Sequence, residues 1–98
     1  MIARLWNRPE NADAYEEFLR TEMFPSIHRV EGFLGGDLLR RDAGEEVAFV
    51  TITRFESLDA VRDFAGEDYE QAVIEPEARR LLARFDESSE HFEIRIAG

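Results

Sequence analysis

The chain has 98 residues, with 22 acids against 12 bases, a formal charge of −10, no lysine and no cysteine. That length makes one domain, expected to bury roughly 60 to 70% of the surface of its unfolded chain, so a deep pocket calls for walls from a second protomer. The acidic balance argues against nucleic acid and anionic membrane as partners, and the missing residue types exclude Schiff-base chemistry, thiol nucleophiles, disulfides and thiolate metal sites.

His28 and His91 lie far apart in sequence, so no dedicated transition-metal site is expected. The first ten residues, MIARLWNRPE, hold neither a long apolar core nor a small-residue cleavage pattern. No signal peptide or membrane span is expected, and a cytoplasmic location is the default.

Ile2 to Arg8 reads as the first strand, with Ala3, Leu5 and Asn7 on one face and Ile2, Arg4, Trp6 and Arg8 on the other. Pro9 stops it. Asn11 is placed to cap a helix whose Ala14, Tyr15, Phe18, Leu19 and Met23 follow helical spacing. Pro25 predicts an end or kink near Phe24, with Ser26 to Val30 as a further turn. Phe33 to Arg41 reads as a second strand in which Gly35-Gly36 suggests a bulge or a close approach by another group. Asp42 to Glu45, with Gly44, is short enough for a hairpin turn.

The chain is organised around Glu46 to Gly66, a strand that runs straight into a capped helix. Val47, Phe49, Thr51, Thr53 and Phe55 share one parity, and Ala48, Val50, Ile52 and Arg54 the other. A strand apolar or β-branched on both faces is covered on both sides, which places it in the middle of a sheet. Ser57 is the N-cap, Leu58, Val61, Phe64 and Ala65 form one helical face, and Gly66 ends the helix. The segment Ser57 to Phe64 echoes Asn11 to Phe18 as a weak internal repeat.

An insertion from Glu67 to Glu90 follows. In it Tyr69 to Ile74 resembles a helical turn, Pro76 restarts the chain, and Ala78, Leu81, Leu82 and Phe85 form a short apolar stripe. Its acid-rich stretches, Glu67 to Glu70 and Asp86 to Glu90, lack the ligand spacing and glycine of a calcium loop and read as solvated segments. His91 to Ile96 reads as the last strand, with Phe92, Ile94 and Ile96 inward. The order is a ferredoxin-like βαββαβ plan of the α+β class, in one domain spanning residues 1 to 98, with two helices on one face of an antiparallel sheet. The first and third strands carry apolar groups on their other face too, which predicts a homodimer packed sheet to sheet.

The residues MIARLW, the turn Val30-Glu31-Gly32-Phe33, and Phe55-Glu56-Ser57-Leu58-Asp59-Ala60 leading to Phe64-Ala65-Gly66-Glu67-Asp68 resemble the antibiotic biosynthesis monooxygenase family of dimeric α+β barrels. The resemblance implies the fold over nearly the whole chain. It leaves activity open among cofactor-independent oxidation of phenolic substrates, haem degradation and proteins without a known reaction. Haem-degrading members use an Asn at the end of the first strand, a Trp on the second helix and a His further on; here these positions hold Asn7, Phe64 and Ile74. Without an imidazole the iron lacks its axial partner, so haem degradation is disfavoured and no cofactor is implied.

Cofactor-free oxidation requires a pocket that binds a phenol or enol, removes a proton and stabilises an oxyanion. The resemblance implies Asn7 as the oxyanion donor, against its bland reading as a capping residue. Trp6 carries a donor as well, but neighbours on a strand face opposite ways, and an interface anchor is the competing role. His28, after Pro25, is the better placed histidine for a base, against a helix-end role. Phe18 and Phe64 are candidate pocket walls. Tyr69 could bond a phenolic substrate or simply pack, and Arg54 could hold an anionic ligand or pair with an acid. The leading expectation is a monooxygenase acting on a small aromatic or quinol-type molecule. A non-catalytic dimeric binding or stress-associated module is the alternative.

Overall fold

The expected central strand is β3, Glu46–Phe55, which in the computed structural model of this protein pairs antiparallel with β1, Ile2–Asn7, on one side and β2, Phe33–Ala43, on the other. A short β4, Leu82–Phe85, adds to the far edge of β1, giving the sheet order β2-β3-β1-β4 of an antiparallel ferredoxin-like fold. The structure describes residues 1–70 and 76–97. Register sets the two faces. Leu5 opposite Phe49 and Ala3 opposite Thr51 point to the helices, while Trp6 opposite Ala48 and Arg4 opposite Val50 point to the open face.

The helical layer opens with α1, Pro9–Phe18, passes through a π-helical turn at Leu19–Met23 and continues as α2, Phe24–Ile27. Pro25 was expected to end or kink this helix. The chain instead widens before it. The Phe24 N–H donates to the Leu19 carbonyl, five residues back, and Pro25 falls in the first turn of α2, where no amide donor is required. The helix also starts earlier than expected, at Pro9, whose fixed φ suits a first helical position. Asn11 is therefore inside the first turn and is not the cap, and Ala12 is buried in place of Ala14.

After β3, Ser57 and Gly66 bound α3, Leu58–Ala65, as their residue types predict. The Ser57 Oγ accepts from the Ala60 N–H at 3.2 Å, and Gly66 at φ +84° closes the helix. Val61 and Ala60 are buried, whereas Leu58 is exposed. The glycine pair in β2 marks a register shift between Phe33 and Gly35. A Cβ on Gly36 would stand 3.2 Å from the Phe24 ring and 3.0 Å from the Ile52 carbonyl.

The largest departure is at the C-terminal end. The last strand is Leu82–Phe85, not His91 to Ile96, and the stripe drawn through Ala78, Leu81, Leu82 and Phe85 is split between α4, Pro76–Arg79, and this strand. Phe85 lies opposite Leu5 and Arg84 opposite Trp6, so β4 takes the ladder partner that the later segment would need. Residues 91–97 carry no strand, and Phe92, Ile94 and Ile96 are exposed instead of inward. Residues 67–70 form a turn, and the remainder of the helical turn expected up to Ile74 lies outside the described residues.

Candidate functional site

A cavity of about 60 Å³ lies between the inner face of the sheet and the helical layer. Phe18 from α1, Leu19 and Met23 from the π-helical turn, Ile27 from α2 and Phe64 from α3 form its apolar wall. Leu19, Met23 and Ile27, four residues apart along this helical stretch, reach the wall together. Thr51 and Thr53 from β3, Tyr15 from α1 and Ser89 from the segment after β4 supply hydroxyls.

Each of these polar residues has a distinct setting. Tyr15 is buried and packs edge-on against Phe49, ring centroids 5.2 Å apart, and burial raises its pKa so that it stays a protonated donor at neutral pH. Thr53 Oγ1 donates to the Met1 carbonyl at 3.3 Å, and the Met1 amino group donates to the Thr53 carbonyl at 2.8 Å. Burial lowers the pKa of that amino group. Ser89 Oγ is buried with no partner. No carboxylate, imidazole or guanidinium is among the described lining residues. A wider groove lies outside the sheet edge between Arg20, Phe24 and Arg40, but its arginines are engaged by Asp13, Glu16 and Glu17.

The residues singled out from the sequence separate into several places. Phe18 and Phe64 line the cavity. Asn7 shares the inner face with it but sits behind, fully buried, its Nδ2 donating to the Leu81 carbonyl at 2.7 Å and its Oδ1 without a partner. Trp6 looks to the opposite face, where the Arg84 guanidinium stands 3.9 Å over its ring and also grips Glu46. Arg54 is on that face too, paired with Asp37 of its own chain at 3.1 Å. His28 is exposed at the end of α2, where its Nδ1–H donates to the Phe24 carbonyl at 2.7 Å and its ring meets Phe33 edge-on. Tyr69 contacts His91 and Arg62 and is not part of the described cavity wall.

The family model for antibiotic biosynthesis monooxygenase matches residues 1–76. The chain belongs to that family. Comparison with curated proteins returned no match. The matched span covers β1 through α3, so within this antibiotic biosynthesis monooxygenase domain it includes most of the cavity wall, while Ser89 lies beyond it. A haem does not fit these residues. The cavity is far smaller than the macrocycle, and no imidazole is among its described walls. The described residues hold no group of three His, Cys, Asp or Glu placed to share a metal, and no described helix is long and apolar enough to cross a membrane.

The hydroxyls were the part that sequence reasoning missed. Thr51 and Thr53 carried a signal, being polar residues on the inward parity of a central strand. Tyr15 was read only as helix core. Ser89 carried none, since it sits in an acid-rich stretch read as solvated, yet it is 5% exposed.

Proposed function

We propose that the cavity beneath α1 binds a small aromatic or enolisable molecule, and that the protein oxidises it with dioxygen without metal or flavin. The observation that supports this is the cavity itself, an apolar space whose described polar walls are hydroxyls, backbone and the Met1 amino group. Such a setting favours an electron-rich neutral or singly anionic ring and gives a developing oxyanion fixed donors.

In the reaction a ring CH₂ flanking the enol becomes C=O. Loss of the enol proton gives an anion that passes one electron to O₂. The resulting radicals join through a C–O bond to a peroxide, which takes up a proton and loses water. One oxygen atom stays on the substrate carbon and the other leaves as water, so substrate and O₂ balance without an added reductant. Tyr15 fits the role of oxyanion donor, because burial keeps its phenol protonated. The donor role expected of Asn7 is transferred to Tyr15, since an Asn7 N–H is committed to Leu81. His28 stands outside the wall, so the enol proton passes to water at the mouth.

We further infer a homodimer. Leu39 is 48% exposed on the open face beside Val50, and Phe92, Ile94 and Ile96 stand 66, 55 and 92% exposed in the tail. Single exposed apolar residues are ordinary, but a run of them in the tail together with Leu39 and Val50 on the open face, beside its ion pairs, calls for a cover.

The test is oxygen uptake by chelator-treated protein with one-ring cyclic enols that carry a ring CH₂ beside the enol, comparing wild type with Tyr15→Phe. Uptake that survives chelation and falls roughly tenfold or more in the variant supports the reading. A second reading, a binding module without turnover, is favoured by the lack of an imidazole or carboxylate among the described walls, whose amine, at Met1, is engaged with the Thr53 carbonyl. Ligand binding without uptake across the panel would establish it.

A further inference from the structure

Ser89 is a buried hydroxyl that the fold leaves without a use. It is 5% exposed, lines the cavity, and its Oγ has no hydrogen-bond partner. Its backbone is fixed on both sides. The Ser89 N–H donates to the Glu70 carbonyl at 2.6 Å, and the next residue, Glu90, forms a bridge to Ile2 through paired bonds of 2.7 and 2.9 Å. Glu90 turns to the open face, where it meets Arg4, so Ser89 is directed to the inner side, next to the Met1–Thr53 linkage. A buried polar group without a partner is costly, and structures that keep one generally use it.

We propose that Ser89 is the polar anchor of the cavity, holding the hydroxyl or carbonyl oxygen of a small one-ring ligand whose apolar body lies toward Phe18, Met23 and Phe64. This rests on the reading of the cavity as the ligand site. The serine hydroxyl both donates and accepts, so it takes a phenol or a cyclic ketone equally. Size selects the class. The volume exceeds the roughly 10–15 Å³ that admits one water and falls below the roughly 300 Å³ of ordinary drug-sized pockets. A cavity that takes benzene measures about 150 Å³, so this one excludes a three-ring polycycle and takes the oxygen end of a one-ring ligand, with the ring extending toward the half-buried Phe64.

The experiment is binding of 4-fluorophenol, fluorobenzene and a fluorinated anthrone, followed by fluorine NMR, to wild type, Ser89→Ala, Ser89→Thr and Phe64→Trp. Wild type is expected to bind 4-fluorophenol more tightly than fluorobenzene and not to bind the anthrone. In Ser89→Ala the phenol weakens roughly five- to tenfold, fluorobenzene is unchanged, and Ser89→Thr restores the preference. Equal phenol affinity in wild type and Ser89→Ala, or no preference for the phenol in wild type, overturns the anchor and leaves Ser89 satisfied by water alone. Should Ser89→Ala not fold, Ser89→Cys, which keeps the size and weakens the hydrogen bond, is read in its place with the same expected loss for the phenol alone. Phenol binding untouched by Phe64→Trp, which fills the mouth, overturns instead the reading of the cavity as the site, and so does the absence of binding by every compound.

Discussion

The side-chain amide of Asn7 donates to the carbonyl of Leu81 at 2.7 Å, across 74 residues of chain, and fixes the end of β1 against the residue that precedes β4. This bond is the reason an asparagine can sit fully buried in the inner face of the sheet. Asn7→Leu keeps the volume but leaves the Leu81 carbonyl unpaired, with an expected loss of about 1–3 kcal/mol. Asn7→Asp is expected to cost more, because it buries an unpaired carboxylate against that carbonyl oxygen. Urea unfolding measures both. Since Asn7 is outside the cavity wall, the folded variants should retain affinity for 4-fluorophenol, and its loss from a folded variant would refute a purely positioning role.

His28 behaves as a helix terminator. Its Nδ1–H reaches the Phe24 carbonyl, which also accepts the His28 backbone N–H at 3.1 Å, and its ring packs on Phe33. His28→Ala is expected to lower stability by about 0.5–1.5 kcal/mol while leaving ligand affinity and any oxygen uptake within twofold. Uptake abolished at unchanged stability would restore it as the base.

Tyr15 gives the fold a weakness in alkali. Its pKa in the folded protein is raised above the ordinary value near 10 because burial disfavours the phenolate. Below about pH 10 the tyrosine is neutral in both states and the contribution is intact. Above it the unfolded chain releases a proton that the folded one retains, so stability falls with rising pH at up to about 1.4 kcal/mol per unit. Comparing chemical denaturation of wild type and Tyr15→Phe from pH 8 to 11 isolates this slope. It should disappear in the variant, and parallel curves would mean that Tyr15 is not the group responsible.

What the sequence made legible follows from which interactions are local. The parity of β3, the Ser57 cap, the Gly66 stop and the two-sided apolar character of the sheet are written in residues next to one another, and each has its counterpart in the fold. The last strand was not legible, because HFEIRI alternates cleanly and LARF does not, and only the register with β1 selects the latter. The helix start at Pro9 and the π-helical turn before Pro25 were hidden for a related reason. A proline announces an interruption but not whether the helix begins on it or widens ahead of it. The cavity hydroxyls required tertiary placement, Ser89 above all, since its neighbours are acids that face solvent.

The glycine pair of β2 offers a test of packing in that same region. At Gly36 an added methyl would press on the Ile52 carbonyl at 3.0 Å and the Phe24 ring at 3.2 Å. Gly36→Ala is therefore expected to cost about 1–3 kcal/mol by forcing α2 away from the sheet. Gly44→Ala meets no neighbour within 4 Å, but places a side chain at φ +75°. Its smaller penalty, about 1 kcal/mol, would come from the backbone alone. Thermal unfolding of both separates contact from conformation, and an equal loss would mean that the Phe24 ring moves aside freely.

The open face supplies the test of assembly. On it Leu39 lies opposite Val50, and the Arg84 guanidinium stacks on Trp6 while holding Glu46. A second sheet laid over this face would bury Leu39 and Val50, and the ion pairs Arg4–Glu90, Arg54–Asp37 and Arg84–Glu46 on the same face are tolerated without a large desolvation cost only where they stay in contact with solvent. Sedimentation equilibrium should give twice the 11.4 kDa of one chain. Leu39→Glu places an acid in the proposed contact of a chain already at −10, and is expected to shift the species to one chain without unfolding it. Leu58→Glu, equally exposed but on α3 at the other layer, serves as the control and should leave the mass unchanged. A wild-type mass of one chain at micromolar concentration would eliminate the dimer. A dimer resistant to Leu39→Glu but dissociated by Ile94→Glu would move the contact from the sheet face to the C-terminal tail.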